Sequence, residues 1–242
     1  MVHLDDIPEL SLEPLQSQDD KVAGLHLVAD SIAQMKQRAA RSLVLHPVCL
    51  GVLAASWAAV YRFSYLATKD SGLTLLLICG ITMTYLTVIR YFTRGYVDLA
   101  EKMRWSWLQE GDLLLGARHA GVLVSVLVVR LEPRFSPPST FGSKRRSRSM
   151  SLRGGKGVIR AWTTRLEYRG RGIGRDLLDA AVRMIKERCG KDAEVGFAQE
   201  HANSVMLLPG IFNASFRRDE IRAAKALEHA LEDWETSKRR KR

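Results

Sequence analysis

Two stretches of the chain carry no ionisable carboxylate, lysine or arginine. From Ser42 to Tyr61, and again from Ser71 to Ile89, apolar residues run on without Asp, Glu, Lys or Arg. Each run is close to the ~20 residues that an α-helix needs to cross a bilayer core of about 30 Å. The segment between them, Arg62 to Asp70, is too short for a domain and is expected to be the tight connector of a helical hairpin. Tyr61, Tyr65, Tyr85 and Tyr91 fall near the ends, where amphipathic rings favour the membrane interface. The competing reading, two buried helices of a soluble protein, draws on Pro47 and on the four threonines of the second run. It fails on size, because a helix that is apolar all round needs a core that the remaining ~150 residues are too few to build. A transmembrane hairpin over residues 42–91 is therefore expected. Lys36, Arg38 and Arg41 precede it and Arg90, Arg94, Lys102 and Arg104 follow it, against Arg62 and Lys69 in the connector, which places both termini in the cytosol.

Elsewhere the pattern is that of a soluble domain. Val22, Leu25, Val28, Ala29, Ile32 and Met35 recur at helical spacing and predict an amphipathic helix over residues 21–41. A second helix is expected from Tyr96 to Gln109, ended at Gly111. The runs Leu113–Ala117 and Val122–Arg130, separated by Arg118-His119-Ala120-Gly121, read as a β-hairpin, and the second is aliphatic enough to be covered on both faces. Val158–Leu166 is rich in β-branched and aromatic residues and reads as a strand. Leu177, Leu178, Ala181, Met184 and Ile185 mark a helix ending near Gly190, Ala193–Ala198 a further strand, and Ile221 to Trp234 a long terminal helix. No strand is evident in residues 1–30, and residues 1–20, which are acidic, are expected to be disordered. Residues 133–157, with Pro133, Pro137, Pro138, the run Lys144–Arg148 and Gly154-Gly155, are expected to be a disordered basic insertion. The globular domain is then residues 96–132 with 158–236, followed by a basic tail, 237–242.

Composition narrows the partners. In 242 residues, 46% hydrophobic content excludes a wholly disordered protein. The net charge of +11 is uneven, concentrated after residue 130, and favours an anionic partner. Cys49, Cys79 and Cys189 are too scattered for a disulfide framework or a metal site, so no metal is expected. The polar, acidic start lacks the features of a cleavable signal peptide. The insertion and the tail Lys238–Arg242 suit a lipid-binding patch, a localisation signal, a phosphorylation segment or plain solvation, and the residues alone do not choose. Without aromatic interleaving or a recognisable module, no nucleic-acid partner is expected.

The chemistry concentrates where the Val158 strand runs into Arg169-Gly170-Arg171-Gly172-Ile173-Gly174 and then directly into a helix. Glycines let a ligand approach the backbone, free amides point at it, and the helix dipole adds positive potential, so a phosphate-bearing ligand fits. A P-loop requires Gly-Lys-Ser/Thr, whereas Gly174-Arg175-Asp176 stands here. A dinucleotide fold puts the turn after its first strand, with an acidic residue ~20 positions on; Asp192 and Glu194 are near that distance, but the preceding hairpin is not the start of a doubly wound sheet.

These residues resemble the GNAT acetyltransferase superfamily, whose pyrophosphate loop has the pattern Arg/Gln-x-x-Gly-x-Gly/Ala, matched by Arg169-x-x-Gly172-x-Gly174 with an additional Gly170. The layout is most similar to the superfamily's membrane-bound branch, whose endoplasmic-reticulum enzymes carry a transmembrane hairpin before the second strand. The resemblance covers residues 96–205. It implies an α/β (α+β) fold, a GNAT-like mixed sheet with flanking helices beside the hairpin, and an N-acetyltransferase of the endoplasmic-reticulum membrane. It implies acetyl-CoA (coenzyme A) as cofactor, an unknown amine as acceptor and the lipid bilayer as partner. The backbone of Trp162, Thr163 and Thr164 would pair with the pantetheine arm. Amides of Arg169, Gly170, Arg171, Gly172, Ile173 and Gly174 would hold the pyrophosphate, with charge from Arg169, Arg171 and Arg175, and Asn203 would help to hold the cofactor. Glu200 and His201 would supply the catalytic base, with Glu167 as a further candidate.

The resemblance has limits. The family's Leu-Tyr helix is replaced by Asn203 to Phe212, cut by Pro209, so the tyrosine that commonly protonates the departing thiolate is absent, and a long helix stands in place of the last strands. A catalytically inactive relative, acting as a binding or assembly factor in the endoplasmic reticulum, is the alternative reading.

Overall fold

A computed structural model describes residues 10–109, 111–133, 152–199, 201–202 and 205–240. The elements, in chain order, are β1 (Leu10–Pro14), α1 (Gln18–Val44), α2 (Pro47–Val60), α3 (Leu66–Thr68), α4 (Ser71–Thr93), α5 (Gly95–Glu101), β2 (Asp112–His119), β3 (Val122–Glu132), β4 (Lys156–Thr164), α6 (Ile173–Cys189), β5 (Glu194–Phe197) and α7 (Ala214–Arg239). They divide into two compact units. One comprises Met1–Ser31, Lys102–Val205 and Asp219–Arg242, and the other Ile32–Glu101 and Met206–Arg218.

The first unit is built on a five-stranded mixed sheet in the order β1-β2-β3-β4-β5, antiparallel except for the last pair. The aliphatic run of β3 is covered on both faces as its composition predicts: Val124, Val126, Leu127, Val128 and Val129 have no exposed surface. On one side α6 lays Leu177, Leu178, Ala181, Val182 and Ile185 against Leu115, Leu127, Val129 and Ile159, and Leu227 and Ala230 of α7 join the same cluster. Gly157 makes room for α6, since a Cβ there would lie 2.6 Å from the Ile185 side chain. On the other side the first turns of α1 approach at Gly24, where a Cβ would stand 3.2 Å from Val126 and 3.4 Å from Leu114.

Three sequence expectations are corrected. The stretch expected to be a disordered tail contains β1, held antiparallel to β2 with Leu10 opposite His119 and Pro14 opposite Leu115. Its five residues carry too little pattern to be seen alone, and Pro14 is tolerated because the strand lies at a sheet edge. The helix expected over Tyr96–Gln109 stops at Glu101, and Trp105–Trp107 forms a single 3-10 turn. Trp107 is drawn off to Arg160, whose guanidinium lies 4.2 Å over its ring and donates to its carbonyl at 3.2 Å. Finally, the expected insertion ends earlier than residue 157. Gly154 N–H donates to Cys189 C=O at 2.7 Å, and β4 begins at Lys156; the Lys144–Arg148 run lies outside the described residues.

In the second unit, Pro47 at the first helical position starts α2 afresh, with His46 Nδ1 accepting from Val48 N–H at 3.3 Å, so Ser42–Val44 end α1 instead of beginning the first apolar helix. The connector is shorter than Arg62–Asp70. The helix continues through a π-turn at Tyr61–Tyr65 and through α3, and only Lys69 (φ 55°) and Asp70 reverse the chain. Asp70 Oδ1 then caps α4, accepting from Gly72 N–H at 2.8 Å and Leu73 N–H at 3.1 Å. Both helical stretches, Pro47–Thr68 and Ser71–Glu101, are long and apolar enough to cross a membrane, and only 6% and 11% of their apolar windows are buried. A separate cluster of Met35, Ala39, Leu43, Ile89, Tyr96, Leu208 and Phe216 forms this unit's core.

Among the described residues, the sheet's one deeply buried carboxylate supplies a test. Asp112, with no exposed side-chain surface, accepts from Arg130 Nε at 2.9 Å and Gln109 N–H at 2.9 Å, and pairs with Arg160. Asp112→Ala leaves two partly buried guanidiniums without their counter-charge and is expected to cost about 3–5 kcal/mol in chemical denaturation. A cost below ~1 kcal/mol would show that solvent compensates them.

Candidate functional site

The turn entering α6 uses glycine for two distinct reasons. Gly170 and Gly172 have φ of 80° and 87°, which side-chain-bearing residues rarely adopt, while a Cβ at either would meet only open space. A ligand can therefore approach the main chain there. Gly174 is needed for packing: its Cβ would lie 3.1 Å from Thr164 Oγ1 and 3.4 Å from the Trp162 ring. Trp162 Nε1–H donates to Gly174 C=O at 3.0 Å and fixes the helix start on the end of β4.

Gly172 is the N-cap of α6 and has no side chain with which to cap the first amides. The amides of Ile173 and Gly174 have no intrahelical acceptor. They border an open cleft of about 200 Å³ lined by Thr164, Tyr168, Arg169, Gly170, Gly172, Ile173, Gly174 and Arg175. Unpaired amides and a helix dipole facing a concavity are the elements of an anion site.

Beside it the sheet splits. β4 pairs with β5 only from Lys156–Glu194 to Ile159–Phe197, after which Ala198 N–H and Ala202 N–H close on the carbonyls of Ile159 and Arg160, both at 2.9 Å. Arg165 N–H donates to Val124 C=O at 2.8 Å. Main-chain groups alternate along a strand, so those of Thr163 face β3 while those of Trp162 and Thr164 face the side that β5 has left. Thr163 C=O also accepts from Ser125 Oγ at 2.8 Å, and Thr164 C=O accepts from Arg169 Nε at 2.8 Å. Among the described residues, the main chain of Trp162 thus retains an open edge next to the helix start.

The arginines of the turn are each held by the chain itself. Arg169 grips Thr164, Arg171 lies 5.2 Å over the Tyr168 ring, and Arg175 pairs with Asp233 of α7 at 2.9 Å. They make the rim positive from fixed positions. His201 lies beyond β5 at the end of a row of rings, 5.3 Å from Phe197, which is 6.0 Å from Trp162. Burial lowers the His201 pKa below the ordinary imidazole range, partly opposed by the Glu220 carboxylate, so its ring is neutral at physiological pH and can accept a proton. Glu200 and Asn203 lie outside the described residues. Glu167 stands in the 3-10 turn Leu166–Tyr168 at the entrance to the loop.

Sequence reasoning missed Ser125 and Phe197. Ser125 shares a 2.8 Å hydrogen bond with Thr164 Oγ1 besides bonding Thr163 and so steadies the end of β4; its signal is that it is the one polar residue in the run Val122–Val129. Phe197 carried no local signal, because its role is to fill the space between Trp162 and His201.

The model of the acetyltransferase (GNAT) family matches residues 82–206, slightly more than half of the chain. No curated protein matches it. Solved structures similar to it include a ribosomal-protein-alanine N-acetyltransferase from Brucella melitensis biovar Abortus 2308, at 19% identity and a TM-score of 0.27, covering 44% of this chain and 59% of that one. The chain therefore spans less than two thirds of that structure. A GCN5-related N-acetyltransferase from Ralstonia eutropha JMP134 is similar at 14% identity, a TM-score of 0.35 and coverage of 79% and 84%. A predicted acetyltransferase from Clostridium acetobutylicum, solved with acetyl-CoA, is similar at 13% identity, a TM-score of 0.33 and coverage of 78% and 80%.

The His201 environment predicts a pH signature. Above the unfolded pKa of ~6.5 the ring is neutral in both states and its burial is tolerated. As pH falls through that value the unfolded chain takes up the proton first, so stability falls until the lowered folded pKa is reached. In denaturation profiles His201→Gln is expected to flatten this acid slope while changing stability at pH 7.5 by about 1 kcal/mol or less. An unchanged slope would mean that the ring is not desolvated.

Proposed function

Because the chain belongs to the acetyltransferase (GNAT) family, we propose that it transfers an acetyl group from acetyl-CoA to an amine, on a domain tethered to a membrane by α2 and α4. The observation that carries this reading is the uncapped start of α6 opening beside the main chain of Trp162, which is unpaired among the described residues. A cofactor with two linked phosphates and an amide-bearing arm suits both halves of that arrangement. The amides from Gly170 to Gly174 hold the pyrophosphate, and Arg169, Arg171 and Arg175 add positive potential from the rim. Trp162 N–H and C=O align the pantetheine arm as an added strand, which ends at the split. The thioester supplies the activated acetyl group. His201, neutral and at the far end of the ring row, would take the proton from the incoming amine as the new N–C bond forms and the acyl C–S bond breaks, coenzyme A leaving as a thiolate that solvent protonates. Glu200, the preceding residue in the sequence, is assigned as a second basic group, and Asn203 as a cofactor contact.

The membrane assignment is supported by exposed apolar surface. Leu75 and Leu76 of α4 and Val52 of α2 are each more than 60% exposed, with little covering either helix. Water disfavours such a surface by roughly 25 cal/mol per Å², whereas a bilayer removes the penalty. The balance of Lys and Arg around the hairpin sets both termini in the cytosol, and the endoplasmic reticulum is the membrane assigned.

Titration of the detergent-solubilised protein with coenzyme A tests the site. Gly172→Asp, which adds a carboxylate and a disfavoured φ, is expected to weaken binding by about 100-fold or more with the fold retained by circular dichroism. His201→Gln is expected to leave binding intact and to lower acetyl transfer to an amine library by ~100-fold. Unaltered coenzyme A affinity in Gly172→Asp would remove the proposal.

A further inference from the structure

Arg175 stands on two boundaries at once. It borders the cleft at the glycine turn, and its Nη2 donates to Asp233 Oδ2 of α7 at 2.9 Å. α7 reaches this point because Leu227 and Ala230 are buried in the same cluster as the apolar face of α6, which puts Asp233, three residues after Ala230, at the margin of the helix pair. The Arg175 and Asp233 side chains are 56% and 60% exposed, so water screens the pair and little free energy holds it together. A carboxylate at this place also opposes the positive potential that a phosphate in the cleft requires.

About one turn along α6 from Arg175 lies a second carboxylate, Asp179. Its Oδ1 is buried and has no hydrogen-bond partner. A buried carboxylate oxygen without a donor carries a desolvation cost, which protonation relieves. The charged groups acting on Asp179 are Arg175, Asp176 and Arg183 of α6 and Asp233 of α7, while the strands packed under α6 present the aliphatic side chains of Leu115, Leu127, Val129 and Ile159. Burial pushes the Asp179 carboxyl above the ordinary carboxylate range, and Arg175 is the largest influence opposing that rise. Three carboxylates thus share two guanidiniums, and the loss of Arg175 from the group favours protonation of Asp179, the least exposed of the three.

We propose that Asp233 and Asp179 are positioning residues of the coenzyme site that act through Arg175: Asp233 competes with a coenzyme phosphate for the guanidinium, and Asp179 takes up a proton from solvent when the guanidinium passes to the phosphate. This rests on the acetyl-CoA reading of the glycine turn and makes α7 a regulator of the same site. Two linked phosphates outcompete one exposed carboxylate, since both are anionic and each can accept from a guanidinium in bidentate fashion. Once the guanidinium has moved, the Asp179 pKa is higher in the bound form than in the free one. Coenzyme then binds more tightly as pH falls through the interval between the two values, and gains nothing further below it.

Calorimetric titration of the full chain in detergent with coenzyme A reads both parts. Asp233→Asn, which keeps an acceptor for Arg175 but removes the charge, is expected to tighten binding by about 2–5-fold at pH 7.5. Arg175→Gln is expected to weaken binding by about 10-fold, and Asp233→Asn to have no effect on that background. Equal tightening on both backgrounds would mean that Asp233 merely repels the coenzyme, and no tightening of the wild type that it does not compete; either result overturns the proposal. Between about pH 5 and 7, titrations in buffers of different ionisation heat are expected to show more proton uptake by the wild type than by Asp179→Asn. The coenzyme's phosphates and His201 titrate in both proteins, so the difference belongs to Asp179, and equal uptake overturns the proposal as well. A wild-type chain that binds no coenzyme A removes the acetyl-CoA reading and this proposal together, whereas binding that ignores these substitutions removes the proposal alone.

Discussion

The site depends on a mismatch in strand length. β4 has nine residues and β5 four, so pairing between them ends at Ile159 and Phe197 while β4 continues for five more positions. A backbone in a sheet interior ordinarily satisfies every polar group, and an edge left open within a folded domain invites a partner. Among the described residues, the open edge at Trp162 arises where α6 begins, so unpaired strand groups and helix amides converge on one cleft. Neither alone would define a ligand. Together they favour one that has an extended amide-bearing segment followed by an anionic group.

Much of the surrounding structure serves to hold that mismatch in place. Ser125 ties Thr163 and Thr164 to β3 from behind, Arg169 closes the turn onto Thr164, and Trp162 pins the helix start through Gly174. The bulge in the β3–β4 register between Val128 and Val129 accompanies Arg160, which turns to the face opposite α6 and joins Asp112 and Trp107. A bulge is a common way of re-aiming side chains next to a site. Here it lets Ile159 and Trp162 pack with the α6 cluster while Arg160 anchors the other face.

The sequence was legible where periodicity was long or composition extreme. The aliphatic β3, the amphipathic α6 and α7 and the two charge-free runs need only local pattern, and their assignments differ from the structure at the ends. The strand β1 was not legible, because Leu10 and Leu12 are its whole apolar signal and its stability comes from pairing with β2, about 100 residues away in the chain. Gly154 and Gly155 read as disorder for a similar reason. Their small size admits contacts made at a distance, such as that of Gly155 with the Glu132 carbonyl, 2.3 Å from where a Cβ would stand. For the site, the glycine turn was legible as a helix start with positive φ and free amides, since those are local properties. That the three arginines would each be engaged by Thr164, Tyr168 and Asp233, and that Phe197 would bridge Trp162 to His201, follows only from the tertiary arrangement.

Backbone amide hydrogen exchange of the solubilised protein, with and without coenzyme A, addresses the central claim most directly, since it reads the unpaired groups themselves. The account predicts slowed exchange at Trp162, at Thr164 and from Gly170 to Gly174, with the amides of Ala161 and Thr163 and the α6 interior unchanged. Exchange at those positions that is already slow without ligand, or that coenzyme A leaves unaltered, would contradict it.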